Sequence, residues 1–411
     1  MDSVDRYRFA LLGLSPEEAR ARSSCAARTT SANTKWNKAD VTLYDPSVLG
    51  SAPSKALKAL VRQGIPDDLR PDLWLLFSGG LAKKKAAPPG HYALLLRKAA
   101  QCASGAVDAA SLGAELSRAF GTHPFLSTSK GVRTVMRILE AHLLHGGADA
   151  GVPRGMACIA AFLLAVLGPG REEDAFWTFA GLLENRVPAS CVLENTKGAG
   201  VEQRVLQALM AKRFPKIVAQ LEKADTSVEE VTRSWFSSLF CTALPAETAV
   251  RIWDVLFLEG PKILFRTALA LFKMNESAIL GTKLSVQVAR CVSWRIARCY
   301  DPEALFKVAF SGIGSLSMAA IKRARADYEG VVLEQMAEHR RRLEDLLSSP
   351  KLADGHHASG DSPTSSASEQ GSPVHLSTIY EDYEDDEEAS HPTTKSFFST
   401  FLRPLQAVKG F

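Results

Sequence analysis

The chain has no apolar run long enough to cross a bilayer: its longest, Met156 to Leu167, covers about a dozen residues, against the roughly 20 that a spanning helix needs. The opening text, MDSVDRYRF, lacks the apolar core of a signal peptide, so a location in the cytoplasm or peripherally on endomembranes is expected. Cysteine is sparse and unpatterned. Seven residues, an odd number, run from Cys25 to Cys299 without CxxC spacing, which argues against a disulfide framework and a zinc site and leaves reduced, buried thiols. Strand-like alternation is nearly absent and no fixed-period repeat is found, which excludes a β architecture and a regular helical solenoid. Lys and Arg are missing between Leu352 and Thr394, where Asp and Glu crowd residues 381–388, so the formal charge of +4 conceals a more basic body. Clusters such as Lys83 to Lys85 and Arg340 to Arg342 carry no RNP, zinc-finger or basic-zipper pattern beside them. They read as solvated helix faces, and no nucleic-acid partner is expected.

What is present is helical periodicity. With 411 residues, 46% hydrophobic and 23% charged, the chain can bury a large core. Residues 1–55 read as a loosely ordered lead-in, rich in Ser, Thr and Ala around Ser23 to Asn33, with one aromatic anchor, Trp36. From Ala56 onward, apolar residues at i, i+3, i+4 spacing predict successive helices, separated by breaks such as PDDLRP, AAPPG, GTHP and HGGADAG. The fold class is therefore all-α. The stretch from Gly155 to Leu167 is apolar nearly all round and predicts a central helix packed on every side. The division expected is a body at 56–318, a helical extension at 319–348 interrupted at Gly330, and a tail at 349–411. In the extension, Val332, Met336, Leu343 and Leu347 form a stripe that can dock on the body or form a coiled-coil pair, with docking the favoured expectation. The tail is too poor in hydrophobics to fold alone, and it carries an acidic run followed by a short amphipathic patch, KSFFSTFLRPL.

Three stretches carry candidate functional residues. In LGAELSRAFGTHPF, Leu112 to Phe125, the residues Leu112, Leu116, Ala119 and Phe120 make an apolar stripe, and Glu115 and Arg118 lie three apart. Gly121 is expected to stop the helix just after Arg118. Spacing alone makes Glu115 and Arg118 a surface ion pair. In GIPDDLRPDLWLLFSGG, Gly64 to Gly80, either Asp67 or Asp68 can cap a helix with Pro71 in its first turn. Arg70 lies four before Trp74, a core anchor that Arg70 can cover, unless it pairs with a carboxylate. Further on, Arg251 and Asp254 are three apart with Trp253 on the neighbouring face, which reads as a scaffold pair.

Together these stretches resemble the TBC domain, the fold of GTPase-activating proteins for Rab GTPases. GIPDDLRPDLWLLFSGG resembles its opening signature, LGAELSRAFGTHPF its arginine-finger motif, GMACIAAFLLAVL with EEDAFW its central helices, and LPAETAVRIWDVLFLEGPKILFRTALALFK its C-terminal signature. The blocks are collinear from about Leu60 to Asn275, and a weaker likeness to the growth-hormone-regulated type of TBC protein extends through Gly314 to Ala319.

The resemblance implies a multi-helix TBC domain that binds a Rab-type small GTPase in its GTP form and inserts Arg118 next to the nucleotide. It implies no cofactor of the chain's own, since GTP and Mg belong to the partner. It makes the chain an enzyme regulator, with peripheral membrane association as a further expectation. Phe120 and His123 match the motif, whereas Glu115 stands where the family has Asp, and Ala119 and Gly121 replace Thr and Pro. The family also uses a glutamine within GYxQGM to orient the attacking water. The aligned text here is GVPRGM, Gly151 to Met156, which keeps Gly151 and Gly155 but has Val152 for Tyr and Arg154 for Gln. A guanidinium donates only, so it cannot both accept from water and donate to phosphate. Three outcomes follow: the partner's own glutamine acts with Arg118, Arg154 adds a second cationic contact, or the domain binds Rab as an adaptor without accelerating hydrolysis.

Overall fold

Periodicity of this kind predicts helices that bury one stripe each, and the structure, a computed structural model, is built from them. It describes residues 4–11, 13–33, 35–36, 53–101, 107–146, 154–187, 197–282 and 285–348. Among these the only extended pairing is an isolated antiparallel bridge between Val4 and Ala10. The helices are α1 Pro16–Asn33, α2 Lys55–Gln63, α3 Arg70–Phe77, α4 Gly80–Ala86, α5 His91–Gln101 and α6 Ala109–Phe120. There follow α7 Ser129–Gly146, α8 Arg154–Leu167, α9 Glu172–Gly181, which continues as a π-turn over Leu182–Arg186, and α10 Lys197–Arg213. The remainder are α11 Pro215–Lys223, α12 Val228–Ser237, α13 Ala246–Glu259, α14 Lys262–Met274, α15 Glu276–Gly281, α16 Ser285–Ile296, α17 Pro302–Lys307 with a π-turn at Val308–Gly312, and α18 Met318–Ser348.

The apolar run at 156–167 makes α8 the central helix, packed against α6, α7 and α9. Phe162 on α8 meets Trp253 on α13 with ring centroids 4.8 Å apart, and Trp253 meets Trp74 on α3 at 5.6 Å. Phe257 lies 4.9 Å from Trp74 on the same face. These rings are fully buried and tie the first and last signature stretches to the centre.

Three expectations are corrected. The lead-in is not loose over its described part: Ser15 and Glu18 close a capping box at the start of α1, and Arg22 on that helix donates to Glu247 at 2.7 and 3.0 Å. Trp36 is the expected anchor, buried, with its indole N–H on Gly64 O at 3.0 Å. Helix α18 is not interrupted at Gly330, because one glycine costs only about 1 kcal/mol inside a helix and tertiary contacts outweigh it. That helix docks on α10, where Val332 is buried against Gly200 and Arg325 pairs with Glu202 at 2.9 Å, while Met336 of the stripe is exposed. Thirdly, neither Asp67 nor Asp68 caps α3. The N-cap is Leu69, with no side-chain hydrogen bond, and Asp67 is engaged elsewhere. The acidic tail and its amphipathic patch lie outside the described residues, as do Gly151, Val152 and Pro153.

Candidate functional site

Two constellations hold the candidate residues. In the first, Arg70 is 2% exposed, and all five of its N–H groups are used. Nε donates to Asp254 Oδ1 at 2.9 Å, one terminal nitrogen reaches Asp254 Oδ2 at 3.2 Å and Ile65 O, and the other reaches Tyr7 Oη at 2.7 Å and Asp67. Asp254 is fully buried and also accepts from the Trp74 indole at 2.9 Å and from Ile65 N at 3.2 Å. Burial pulls the Arg70 pKa down, but the facing carboxylate of Asp254 more than offsets this and the guanidinium stays charged. Burial likewise pushes Asp67 up, yet Arg70 and Arg6 overcome it and hold its carboxyl at about 2.

The expected pairing of Arg251 with Asp254 is corrected. Although they share α13, Arg251 donates to Glu303 at 2.7 Å and to Arg62 O at 2.8 Å, with its guanidinium 5.2 Å from the Phe306 ring. Trp253 points its indole to Leu239 O at 2.8 Å. Likewise Arg70 takes the carboxylate option and not the face of Trp74. All five residues are scaffold, joining the chain's first and last signatures across more than 180 positions.

The second constellation lies where α6 ends and α8 begins. Asp108 caps α6 by accepting from Ala110 N at 3.1 Å and Ser111 N at 2.9 Å. Leu112, Leu116 and Phe120 bury one face, which leaves Arg118 exposed in the last turn, with no hydrogen bond or ion pair to a described residue. The helix runs two residues further than expected, to Phe120, and Gly121 keeps right-handed φ of −59°. Glycine is required there by closeness, since a Cβ would lie 2.3 Å from Ser117 O. His123 is buried and fixes the following loop. Its Nδ1 accepts from Phe125 N at 3.2 Å and Leu126 N at 3.1 Å, which assigns the proton to Nε2, 3.0 Å from Tyr7 O. Burial holds its pKa below the ordinary histidine value, helped by the charge of Arg8 and opposed by the bond to Tyr7 O.

Helix α8 is brought to this edge by close approach. Gly155 sits where a Cβ would come within 2.1 Å of Ser237 O, so only glycine lets α8 meet the end of α12. One turn along, Cys158 Sγ lies 3.5 Å from Glu115 Oε1, joining α8 to α6. Glu115 therefore packs toward α8, and no Glu115–Arg118 ion pair is formed. Residue 154 opens α8, one turn before Cys158. Among the described residues no cluster of His, Cys, Asp and Glu is arranged to hold a metal, and no helix is long and apolar enough to cross a membrane.

Periodicity missed Tyr7. It accepts from His123 through its carbonyl, and its hydroxyl donates to Asp67 at 2.8 Å and accepts from Arg70, so one residue links the two constellations. Phe9 beside it packs on Phe120 at 5.5 Å, His123 at 4.8 Å and Phe162 at 5.7 Å. The aromatic spacing in DRYRF was the only available signal.

The profile of the Rab-GTPase-TBC domain matches residues 67–280. The mouse protein TBC1 domain family member 2A is 31% identical over 297 residues, which is 72% of this chain and 30% of that protein. Rat small G protein signaling modulator 3 is 30% identical over 284 residues, covering 69% of this chain and 37% of its own length. The chain thus spans about a third of the length of these curated relatives. Among solved structures, the Chlamydomonas flagellar RabGAP TBC domain superposes with a TM-score of 0.62 at 27% identity, over 76% of this chain and all of that one. The Ypt/Rab-GAP domain of Gyp1p, at 15% identity and a TM-score of 0.52, shares the fold.

Proposed function

Because the chain belongs to the Rab-GTPase-TBC domain family, we propose that it is a GTPase activator that binds a Rab-type small GTPase in its GTP form and places Arg118 against the nucleotide. The observation that carries this is the state of Arg118: a permanently charged side chain, exposed and unpaired among the described residues, on a capped helix whose far face is buried. GTP hydrolysis builds negative charge on the phosphoryl oxygens. A guanidinium held in place beforehand neutralises that charge, an effect worth about 10³ to 10⁵ in rate in comparable systems. The chain supplies no cofactor in this scheme, and the partner brings GTP and Mg. It works in the cytoplasm or peripherally on endomembranes, in vesicle trafficking, and the text at Gly314 to Ala319 favours the growth-hormone-regulated type.

A second reading is favoured by Arg154, which opens α8 where the resembled family carries its water-orienting glutamine. In that reading the domain binds the GTPase as an adaptor and accelerates nothing. Single-turnover GTP hydrolysis on a panel of Rab proteins, with wild type, Arg118→Ala and Arg154→Gln, separates the two. Activation that Arg118→Ala removes supports the activator. Binding on every Rab tested with no difference between wild type and Arg118→Ala leaves the adaptor. A gain with Arg154→Gln identifies the missing amide as the cause.

A further inference from the structure

The N-terminal turn lies outside the segment matched by the family profile, and it contains the one arginine in the described chain with left-handed backbone: Arg8, at φ 69°. This conformation suits glycine and is costly for a branched-off Cβ, and such strain persists where the surroundings impose it. Here they do. Asp5 clamps the turn from inside, its carboxylate accepting from Tyr7 N at 2.8 Å and Phe9 N at 3.0 Å, while Asp5 N donates to Phe9 O at 2.8 Å. Tyr7 O is fixed by His123, and the Phe9 ring packs on Phe120 and His123. The carbonyl of Tyr7 and the ring of Phe9 are thus anchored at the end of α6 and the loop after it, and the exposed residue between them is Arg8.

The Arg8 side chain is exposed and makes no hydrogen bond or ion pair to a described residue, while its backbone N–H donates to Asp5 O at 3.0 Å inside the turn. Its neighbours differ: Arg6 is bound to Asp67 at 2.7 Å and Arg22 to Glu247. The turn's own hydrogen bonds hold this backbone, and the guanidinium it carries has no hydrogen-bond or ion-pair partner among the described residues. We propose that Arg8 is a second contact arginine of the GTPase-facing edge, engaging anionic oxygens on the GTP-loaded partner beside those met by Arg118. This rests on the function proposed above. Two sources supply such oxygens, the nucleotide phosphates and carboxylates of the partner protein.

The test uses the full chain with Arg8→Gly, Arg8→Ala and Arg8→Lys, assayed by GTP hydrolysis and by affinity for Rab proteins loaded with a non-hydrolysable GTP analogue. Arg8→Gly relieves the strain, so its Tm is expected to equal or exceed that of wild type by about 2–4 °C, which separates any loss from misfolding. The expected result is a fall in kcat/KM or in affinity of about tenfold, with Arg8→Lys partly retaining it. A fall in kcat identifies phosphate, whereas a rise in KM that shrinks at high salt identifies carboxylates. If Arg8→Gly leaves both readouts within twofold while Arg118→Ala lowers hydrolysis, the proposal is overturned and the activator reading stands. If wild type accelerates no Rab, the affinity arm decides: unchanged binding overturns the role of Arg8, and a fivefold loss supports it. If no Rab is bound at all, the reading beneath it fails and the proposal with it.

Discussion

Arg70 and Arg118 occupy opposite ends of what an arginine can do in one small domain. Arg70, at the start of α3, is 2% exposed and spends every donor on Asp254, Asp67, Tyr7 and Ile65. Arg118, in the last turn of α6, is exposed and spends none on the described residues. The first charge is consumed in holding distant parts of the chain together and is unavailable to any partner. The second contributes nothing visible to the fold and keeps its full capacity to meet an external anion. Between them runs the N-terminal turn, whose Tyr7 touches the buried network with its hydroxyl and the loop of His123 with its carbonyl. The rigid constellation therefore sets the position of the edge that carries the free charge.

The sharpest way to break that contrast is to remove Asp254. In Asp254→Ala the Arg70 guanidinium, the Trp74 indole and Ile65 N lose their acceptor inside the core. Removing one partner of a buried ion pair costs about 3–5 kcal/mol, here with Asp67 left as the remaining carboxylate on Arg70, to be read from denaturant unfolding of the full chain. A loss under about 1 kcal/mol would show that the network does not hold the signatures together.

The N-terminal turn gives the next effect, through pH. Burial, with repulsion from Glu247, raises the Asp5 carboxyl to about 6, partly opposed by its bonds from Phe9 and Tyr7. The folded pKa is above the unfolded one, so the neutral acid favours the fold: this contribution is complete below about pH 4 and is lost as pH rises through 6. Linkage sets its ceiling at about 3 kcal/mol. Asn at this position keeps an oxygen acceptor without the charge. Asp5→Asn should therefore gain stability over wild type at pH 7 and match it at pH 4, by thermal melts at both values. Equal differences at the two pH values would refute the assignment.

A smaller effect tests how α8 is brought to the edge that carries Arg118. In Gly155→Ala the new methyl meets the carbonyl of Ser237 at 2.1 Å, a backbone contact that no rotamer relieves. Moving α8 off α12 should cost about 2 kcal/mol in the same unfolding experiment and shift residue 154 at the helix start.

Local features of this design were legible before the structure. The buried face of α6 follows from its apolar stripe and its stop from Gly121, and Trp74 had to be buried wherever it lay. Pairings across long separations were not legible. Nothing in periodicity distinguishes Asp254, three residues from Arg251, as the partner of Arg70 at a separation of 184 positions. The same blindness misassigned Arg251 and overlooked Tyr7. For α1 the local signal existed in Ser15 and Glu18 and was obscured by the Ser- and Thr-rich text after it. The orientation of Glu115 toward Cys158 was hidden for a simpler reason: two residues three apart on a helix can face each other, but a neighbouring helix decides whether they do.

The smallest stability effect is the most diagnostic. Arg118→Ala removes a side chain with no described partner and places a better helix former in an exposed position, so unfolding should change by less than about 0.5 kcal/mol. An ordinary surface pair with Glu115 would have given a similarly small value, which is why stability alone cannot distinguish the two. The difference lies in what accompanies it. A surface charge of no consequence leaves GTP hydrolysis by the bound GTPase unchanged, whereas an inserted guanidinium takes most of the acceleration with it. A variant that keeps its melt, keeps its binding to the GTP-loaded partner and loses hydrolysis would place the whole contribution of Arg118 in the transition state. One that loses stability along with hydrolysis would return Arg118 to the scaffold and erase its contrast with Arg70.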